Sequence, residues 1–206
     1  SDRPSGRGLL AGCAAALLAA TSHDLEAKRK GKRTRRKHRK KGRPRDVPQV
    51  RADAQCATAN GAAMGAPPDG RIAQTCTAIR SGVIVRAELE FVNPSGSQGD
   101  YFLHLAPLDA FGFPTNGVLA ATSDRVAQGP DGEAAVQVFM FAQPATVVAG
   151  TPYALVLSRP EVGIVGWCGQ LDNCCAGRAF SSGSRTGPFV GVGQNIDLVF
   201  TVFVRS

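Results

Sequence analysis

A run of basic residues near the amino terminus limits what this chain can fold into. In Lys28–Arg45, thirteen residues are lysine or arginine, and no lysine occurs after that run. The run contains two glycines and a proline but no apolar side chain, so it cannot bury surface in a core. The sequence therefore predicts three parts: residues 1–27, a disordered basic linker at 28–50, and a globular domain at 51–206.

The net charge of +8 hides an asymmetry between the linker and the domain. Residues 51–206 contain nine arginines and twelve acidic residues, a formal balance of −3. A domain that follows the phosphates of a nucleic acid needs its positive face on the folded part. The mildly acidic domain therefore does not fit that class of binder.

The basic linker is itself a candidate binding segment for anionic polymers or a membrane surface. Near an anionic membrane, each basic residue contributes about 1 kcal/mol. Contacts with nucleic acid would be non-specific and salt-dependent, without base stacking, because no aromatic residue interleaves the charges. The alternative is a solvated spacer with no dedicated partner. The candidate contacts are Lys28, Arg29, Lys30, Lys32, Arg33, Arg35, Arg36, Lys37, Arg39, Lys40 and Lys41.

Residues 1–27 have the order of elements found in an export signal. Arg3 and Arg7 precede the apolar run Gly8–Ala20, and Leu25–Ala27 offers a cleavage edge. The run is shorter than the roughly 20 residues of a transmembrane helix, so no membrane span is predicted. We therefore expect the domain to be exported, and to be extracellular or associated with the cell surface.

The export route stays open between several interpretations. Ser5–Leu10 resembles a twin-arginine signal in which Gly6 replaces the first arginine. Leu10–Cys13 matches a bacterial lipobox, which would make Cys13 the lipid-carrying residue, although the stronger apolar run follows that cysteine. An Ala/Leu helix packed on the domain is the third interpretation.

The domain shows the alternation of apolar and polar residues that is typical of half-buried strands. It is visible at positions 83–91, 101–106, 136–140, 153–158 and 196–205, with segments rich in Gly, Pro and Asn between them. In the first of these runs, the odd-numbered residues are expected to face one side. Short strands separated by such turns predict an all-β fold, an antiparallel β-sandwich of the jelly-roll type.

Five segments carry a resemblance to a known family: Ala73–Ala78, Gly99–Tyr101, Asp109–Ala120, Val148–Leu157 and Asp197–Phe200. They resemble a family of uncharacterised exported bacterial β-sandwich domains, which is similar to the choice-of-anchor and carbohydrate-binding jelly rolls. Members often carry a signal peptide followed by a Lys/Arg-rich stretch. The resemblance implies the fold of residues 70–206 and a carbohydrate-binding-like role, but its motifs mark strands and turns rather than a site.

Five cysteines follow the predicted signal: Cys56, Cys76, Cys168, Cys174 and Cys175. In an oxidising compartment most of them should form disulfides. We expect Cys56 to pair with Cys76, and Cys168 with Cys174 or Cys175. A zinc site is the less favoured alternative, because the gaps between the last three cysteines do not match the usual spacing of two to four residues.

Aromatic residues are the expected contacts of a sugar ligand, since flat rings stack on pyranose faces. Trp167 is the first candidate, with Asp172 and Arg178 close in sequence. Tyr101 and Phe113 are weaker candidates. The alternative interpretation of Trp167 is a core residue that packs over a disulfide.

Catalysis has one candidate pair of residues. Glu88 and Glu90 lie two apart on one strand face, which places their carboxylates about 7 Å apart, within the range of inverting glycosidases. Alternating acids on an exposed strand are more often a solvated face. His104 is the only histidine of the domain, and no nucleophile or metalloprotease motif accompanies it. The protein is therefore predicted not to be an enzyme.

No cofactor is predicted except for a structural calcium, which related jelly rolls often hold and which Asp197 with Asp69 or Asp100 would bind. The predicted function is that of a non-catalytic exported or cell-surface module that binds wall or extracellular polysaccharide or serves a structural role. Binding of anionic polymers or nucleic acid through the basic linker alone is the first alternative. A glycoside hydrolase is the second.

Overall fold

The computed structural model describes residues 48–56, 62–65, 69–92, 99–126, 134–158, 166–170, 177–192 and 196–206. The predicted signal segment and nearly all of the basic linker lie outside these ranges. Within them the chain forms thirteen β-strands and no helix. Accordingly, no membrane-spanning helix is found in the described part of the chain.

The strands form two antiparallel sheets. Sheet A has the order β1-β13-β4-β9-β12, with β2 paired to β9 and β7 paired to β4, and sheet B has the order β11-β10-β3-β8-β5-β6. The prediction of an all-β antiparallel fold is confirmed, and the arrangement is sandwich-like. The strands are β1 (Val50–Cys56), β2 (Ala62–Gly65), β3 (Arg71–Thr77), β4 (Gly82–Val92), β5 (Gly99–Ala106), β6 (Ala120–Val126), β7 (Ala134–Val147), β8 (Pro152–Ser158), β9 (Gly166–Gln170), β10 (Ala179–Ser182), β11 (Val190–Gly191), β12 (Asp197–Leu198) and β13 (Phe200–Arg205).

Strand β4 follows the predicted alternation only in its second half. Ala87, Leu89 and Phe91 are buried as expected. At the start of the strand, however, Ile84 is buried, whereas the prediction turned the odd-numbered residues inward. The pairing of β4 with β7 and with β13 shifts register just after Ile84. A bulge of this kind exchanges the two faces of a strand, which is the reason for the difference.

An aromatic cluster around Phe91 joins the two sheets in the core. Its ring stacks on Tyr101 of sheet B with 5.8 Å between centroids. Phe139 and Trp167 of sheet A contact the same ring edge-on at 6.3 and 6.4 Å. Such pairs contribute about 0.5–1.5 kcal/mol each beyond their buried area, so this cluster helps to fix how the sheets face each other.

A buried amide also links the sheets. The Gln74 side chain of β3 donates from Nε2 to Asp197 Oδ1 at 2.9 Å, and its Oε1 accepts from the Leu198 backbone N–H at 2.8 Å. Gln74 and Asp197 are both buried. Buried polar groups destabilise a fold unless they are hydrogen-bonded, so these bonds fix β12 of sheet A against β3 of sheet B.

A glycine allows the chain before β10 to approach β3. A Cβ atom added to Gly177 would lie only 1.8 Å from the carbonyl oxygen of Thr75. The carbonyl oxygen of the next residue, Arg178, accepts from the Thr75 backbone N–H at 3.0 Å, and the Arg178 N–H donates to the Thr75 hydroxyl at 2.8 Å. Any larger residue at position 177 would separate this segment from the sheet.

The predicted pairing of Cys56 with Cys76 is wrong. Cys56 is disulfide-bonded, whereas Cys76 is a buried thiol. Cys56 lies in β1 of sheet A and Cys76 in β3 of sheet B. The two cysteines thus lie on different sheets, and strand pairing does not place them side by side. The side chains of Cys168, Cys174 and Cys175 lie outside the described part.

We expect the Cys56 peptide to be linked to one of the cysteines between residues 168 and 175. This follows because Cys76 is excluded and Cys13 belongs to the predicted signal. Trypsin cleavage at Arg71 separates Cys56 from Cys76, so non-reducing peptide mapping distinguishes the partners. The Cys76→Ala variant should keep the same linked peptide. Recovery of a peptide that joins Cys56 to Cys76 would contradict the assignment.

Replacing Gln74 with leucine is expected to lower the free energy of unfolding by about 2–4 kcal/mol, because both buried partners of the amide lose a hydrogen bond. Urea unfolding of the full chain measures the loss. Gln143→Leu is the matched control: this glutamine is exposed on β7, and its replacement should change stability by less than about 0.5 kcal/mol. Equal losses in the two variants would show that the Gln74 hydrogen bonds do not hold the sheets together.

Candidate functional site

The outer face of sheet B, which is turned away from the core, carries the candidate site. Strand register places two rows of side chains across β3, β8 and β5 on this face. The first row is Arg71, Ser158 and Phe102, and the second row is Ala73, Val156 and His104.

The loop between β5 and β6, residues 107–119, folds over part of this face, and we call it the covering loop. Its Asn116 side chain accepts a hydrogen bond from Arg71 of β3 at 2.7 Å. The ring of Phe113 contacts Phe180 of β10 edge-on at 5.3 Å. Leu119 returns to the sheet, donating its backbone N–H to Leu105 at 2.8 Å. The middle of the outer face is therefore buried beneath the loop.

Arg71 holds the covering loop in place. Its side chain is 3% exposed, and it donates to the carbonyl oxygens of Ser184 and Gly187 as well as to Asn116. The guanidinium carbon lies 4.3 Å from the centroid of the Phe189 ring. Neither ion pair of the described residues involves this arginine. Burial lowers the pKa of Arg71, but a guanidinium keeps its charge in proteins.

Beside the covering loop the outer face opens into a cavity of about 340 Å³, which we call the β5–β6 cleft. Phe102 is 42% exposed there and Val118 of the covering loop is 60% exposed, so the cleft is largely apolar. Its volume lies at the lower end of the range for small-ligand sites. The lining residues are Phe102, Leu103, His104, Val118, Ala121 and Thr122.

His104 provides the titratable group of the cleft. Burial, and then the positive charge of Arg71, lower the pKa of His104 to about 4. The imidazole is therefore neutral at neutral pH. A neutral imidazole has one ring nitrogen that donates a hydrogen bond and one that accepts. The cleft thus combines an apolar ring with a group that can bond to a hydroxyl in either direction.

Neither Trp167 nor Tyr101 is available as a sugar-stacking surface, so their assignment as ligand contacts is wrong. Trp167 is fully buried in β9, and its indole N–H donates to the Val199 carbonyl oxygen at 2.8 Å. Tyr101 is 1% exposed and stacks on Phe91. The alternative interpretation of Trp167 as a core residue is the one that the structure supports.

The other predicted ligand contacts have different outcomes. Arg178 is exposed, and its guanidinium carbon lies 6.0 Å from the Phe180 ring centroid, on the side of sheet B that carries β10. Phe113 is 37% exposed but is held against Phe180. Asp172 and the predicted polyanion contacts of the basic linker lie outside the described residues.

The predicted acidic sites lie away from the cleft. Glu88 is half-buried on β4 of sheet A and forms an ion pair of 3.2 Å with Arg86. The calcium hypothesis paired Asp197 with Asp69, but Asp197 is buried in the core, whereas Asp69 is exposed and bonds to Arg185 at 2.8 Å. The side chain of Asp100 is not described. Within the described ranges, no group of three or more His, Cys, Asp or Glu residues could hold a metal ion.

Comparison with known proteins identifies no family for this chain. No protein-family model matches the chain, and no curated protein is detectably similar to it. The resemblance to exported sandwich domains therefore stays a prediction, and the function has to be argued from the geometry of the outer face.

Stability is expected to fall as the pH is lowered from about 6.5 to about 4, because the unfolded chain takes up a proton at His104 that the folded chain binds only near pH 4. In the His104→Gln variant this part of the pH dependence should be lost. Urea unfolding at pH 7, 5 and 4 measures it. His38→Gln, in the basic linker, is the control and should behave as the wild type. An unchanged pH slope in His104→Gln would mean that burial does not depress the His104 pKa.

Proposed function

We propose that residues 51–206 form a non-catalytic, exported polysaccharide-binding module with a jelly-roll-type sandwich, and that the β5–β6 cleft is its ligand contact. The observation that carries the proposal is the pairing of Phe102, 42% exposed, with the neutral imidazole of His104 in one cleft. This pairing also agrees with the resemblance to carbohydrate-binding jelly rolls.

The chemistry of the cleft suits a sugar. The exposed ring of Phe102 offers an apolar surface for the C–H face of a pyranose, and Val118 provides a second apolar wall. Neutral His104 can exchange hydrogen bonds with sugar hydroxyls. A few polar groups in a mostly apolar cleft are the usual composition of a small-ligand site.

Binding is favoured over hydrolysis in this cleft. A glycosidase usually needs two carboxyl groups that flank the scissile bond. The six described residues that line the cleft include no carboxylate. Glu88, one of the two acids considered for catalysis, is engaged by Arg86 on sheet A.

The basic linker would then act as a separate, electrostatic attachment to the cell surface. It carries thirteen positive charges, whereas the domain has a formal balance of −3. At about 1 M salt the Debye length falls to about 3 Å, which suppresses contacts of exposed charges but not apolar stacking in a cleft. Binding measured at low and at high salt therefore distinguishes the linker attachment from the cleft attachment in the same protein.

Phe102→Ala is expected to lower binding to insoluble polysaccharide several-fold at high salt, because the stacking surface of the cleft is lost. Co-sedimentation of the full chain with peptidoglycan, chitin and cellulose, at low and at about 1 M salt, measures the bound fraction. Met140→Ala, which removes a 60% exposed side chain from sheet A, is the control and should bind as the wild type. If high salt abolishes all pelleting by the wild type, the linker is the adhesive and the cleft is not a polysaccharide site.

A further inference from the structure

Phe111 is the most exposed large apolar side chain among the described residues, at 87%. It lies on the covering loop, which also supplies Val118 to the β5–β6 cleft. A ring that is this exposed adds almost nothing to the stability of the fold. Its nearest aromatic neighbour in sequence, Phe113, is instead held against Phe180 at 5.3 Å. The loop therefore uses one phenylalanine for packing and leaves the other in solvent.

The exposed ring is carried by an ordered turn. One carboxylate oxygen of Asp109 accepts hydrogen bonds from the backbone N–H groups of Phe111 and Phe113, both at 2.9 Å. The Asp109 N–H donates to the Phe113 carbonyl at 2.9 Å, and the Gly112 N–H donates to the Asp109 carbonyl at 3.1 Å. Gly112 has φ of 83°, a conformation that favours glycine. Presentation of a ring on a fixed backbone reduces the entropy lost on binding.

The surroundings of Phe111 identify the kind of partner that fits. The Asp109 side chain lies within the same turn and is exposed, so the ring stands beside a negative charge. This charge disfavours anionic lipid head groups and nucleic acid phosphates. A phenyl ring has no hydrogen-bonding group, so it contacts a neutral ligand through its face. The C–H face of a sugar meets both requirements.

We propose that Phe111 is a second stacking contact for the same ligand, and that the ligand is therefore an extended polysaccharide chain rather than a mono- or disaccharide. This inference rests on the proposed function of the β5–β6 cleft. The bridge between Leu108 and Pro114 closes the base of the turn. Phe111 is three positions from either residue of that bridge, so its Cα atom lies at most about 10 Å from the base of the turn. Phe102 in the cleft and Phe111 on the turn would each stack on a different pyranose, so a ligand that contacts both rings is a chain of sugar units.

The test compares short and long ligands with the full chain at about 1 M salt. The probes are chito- and cello-oligosaccharides, as disaccharide and hexasaccharide, measured by calorimetry. We expect Phe102→Ala to weaken binding of both lengths. Phe111→Ala should weaken binding of the hexasaccharide by roughly three- to tenfold and leave the disaccharide unchanged. Phe111→Trp, which keeps a ring, should restore hexasaccharide binding.

The control variant is Val190→Ala, which removes a 64% exposed apolar side chain from β11 and should change neither affinity. Thermal unfolding should be unchanged in Phe111→Ala, since the side chain packs on little of the protein. If Phe102→Ala weakens binding but Phe111→Ala does not, the proposed contact at Phe111 is disproved, and the proposed role of the β5–β6 cleft is retained. Wild-type protein that binds neither length overturns the proposed function itself. Phe111-dependent binding to phosphatidylcholine vesicles would show that Phe111 contacts a membrane rather than a sugar.

Discussion

The shape of the candidate site depends on one buried cation, the guanidinium of Arg71. It joins β3 to the covering loop through Asn116, and to the segment before β11 through the carbonyl oxygens of Ser184 and Gly187. A buried charge without hydrogen bonds would be strongly destabilising. Here, three polar oxygens and the face of Phe189 replace the lost water. This cation is the link between Asn116 and β3, and it acts together with the packing of Phe113 on Phe180 and the hydrogen bond from Asn116 Nδ2 to the Thr186 carbonyl oxygen at 3.2 Å.

The covering loop changes the character of sheet B as well as shaping the cleft. Strands β3 and β8 are buried along nearly their whole length, instead of alternating as strands with one solvated face do. Three of their outward residues, Ala73, Ala154 and Val156, are small or branched apolar side chains, and they pack with Phe180 and Phe189 in a second cluster separate from the core between the sheets. The side of the sheet that carries β5 and β6 keeps outer side chains partly open, among them Phe102. The position of the cleft is thus a consequence of where the second cluster ends.

The alternation in the sequence predicts β4, β5, β7, β8, β12 and β13, because alternation is a local property. The same local reasoning fails wherever the structure depends on residues that are distant in sequence. The bulge after Ile84 changes which side chains of β4 face inward, and no local pattern marks it. Trp167, the first candidate for a sugar contact, is instead buried on β9. The assignment of Cys56 and Cys76 to different sheets depends on topology, which spacing does not reveal.

The cleft requires a hydrogen bond between Arg71 and Asn116, which are 45 residues apart. Phe102 could be placed on the outer face from its position between inward-facing Tyr101 and Leu103, but not beside a loop.

The two parts of this chain that could attach it to a surface act over different distances. Charges on the basic linker act at long range, show no shape selectivity and weaken as salt screens them. The cleft instead combines an apolar ring with an imidazole that burial and Arg71 keep neutral, so its contacts act at short range and depend on shape. Burial of Arg71 beneath the loop has a second effect, because the same positive charge that anchors the wall of the cleft opposes protonation of His104 on its floor. The residue that helps to shape the site therefore adds to the effect of burial, the larger cause, in keeping His104 neutral.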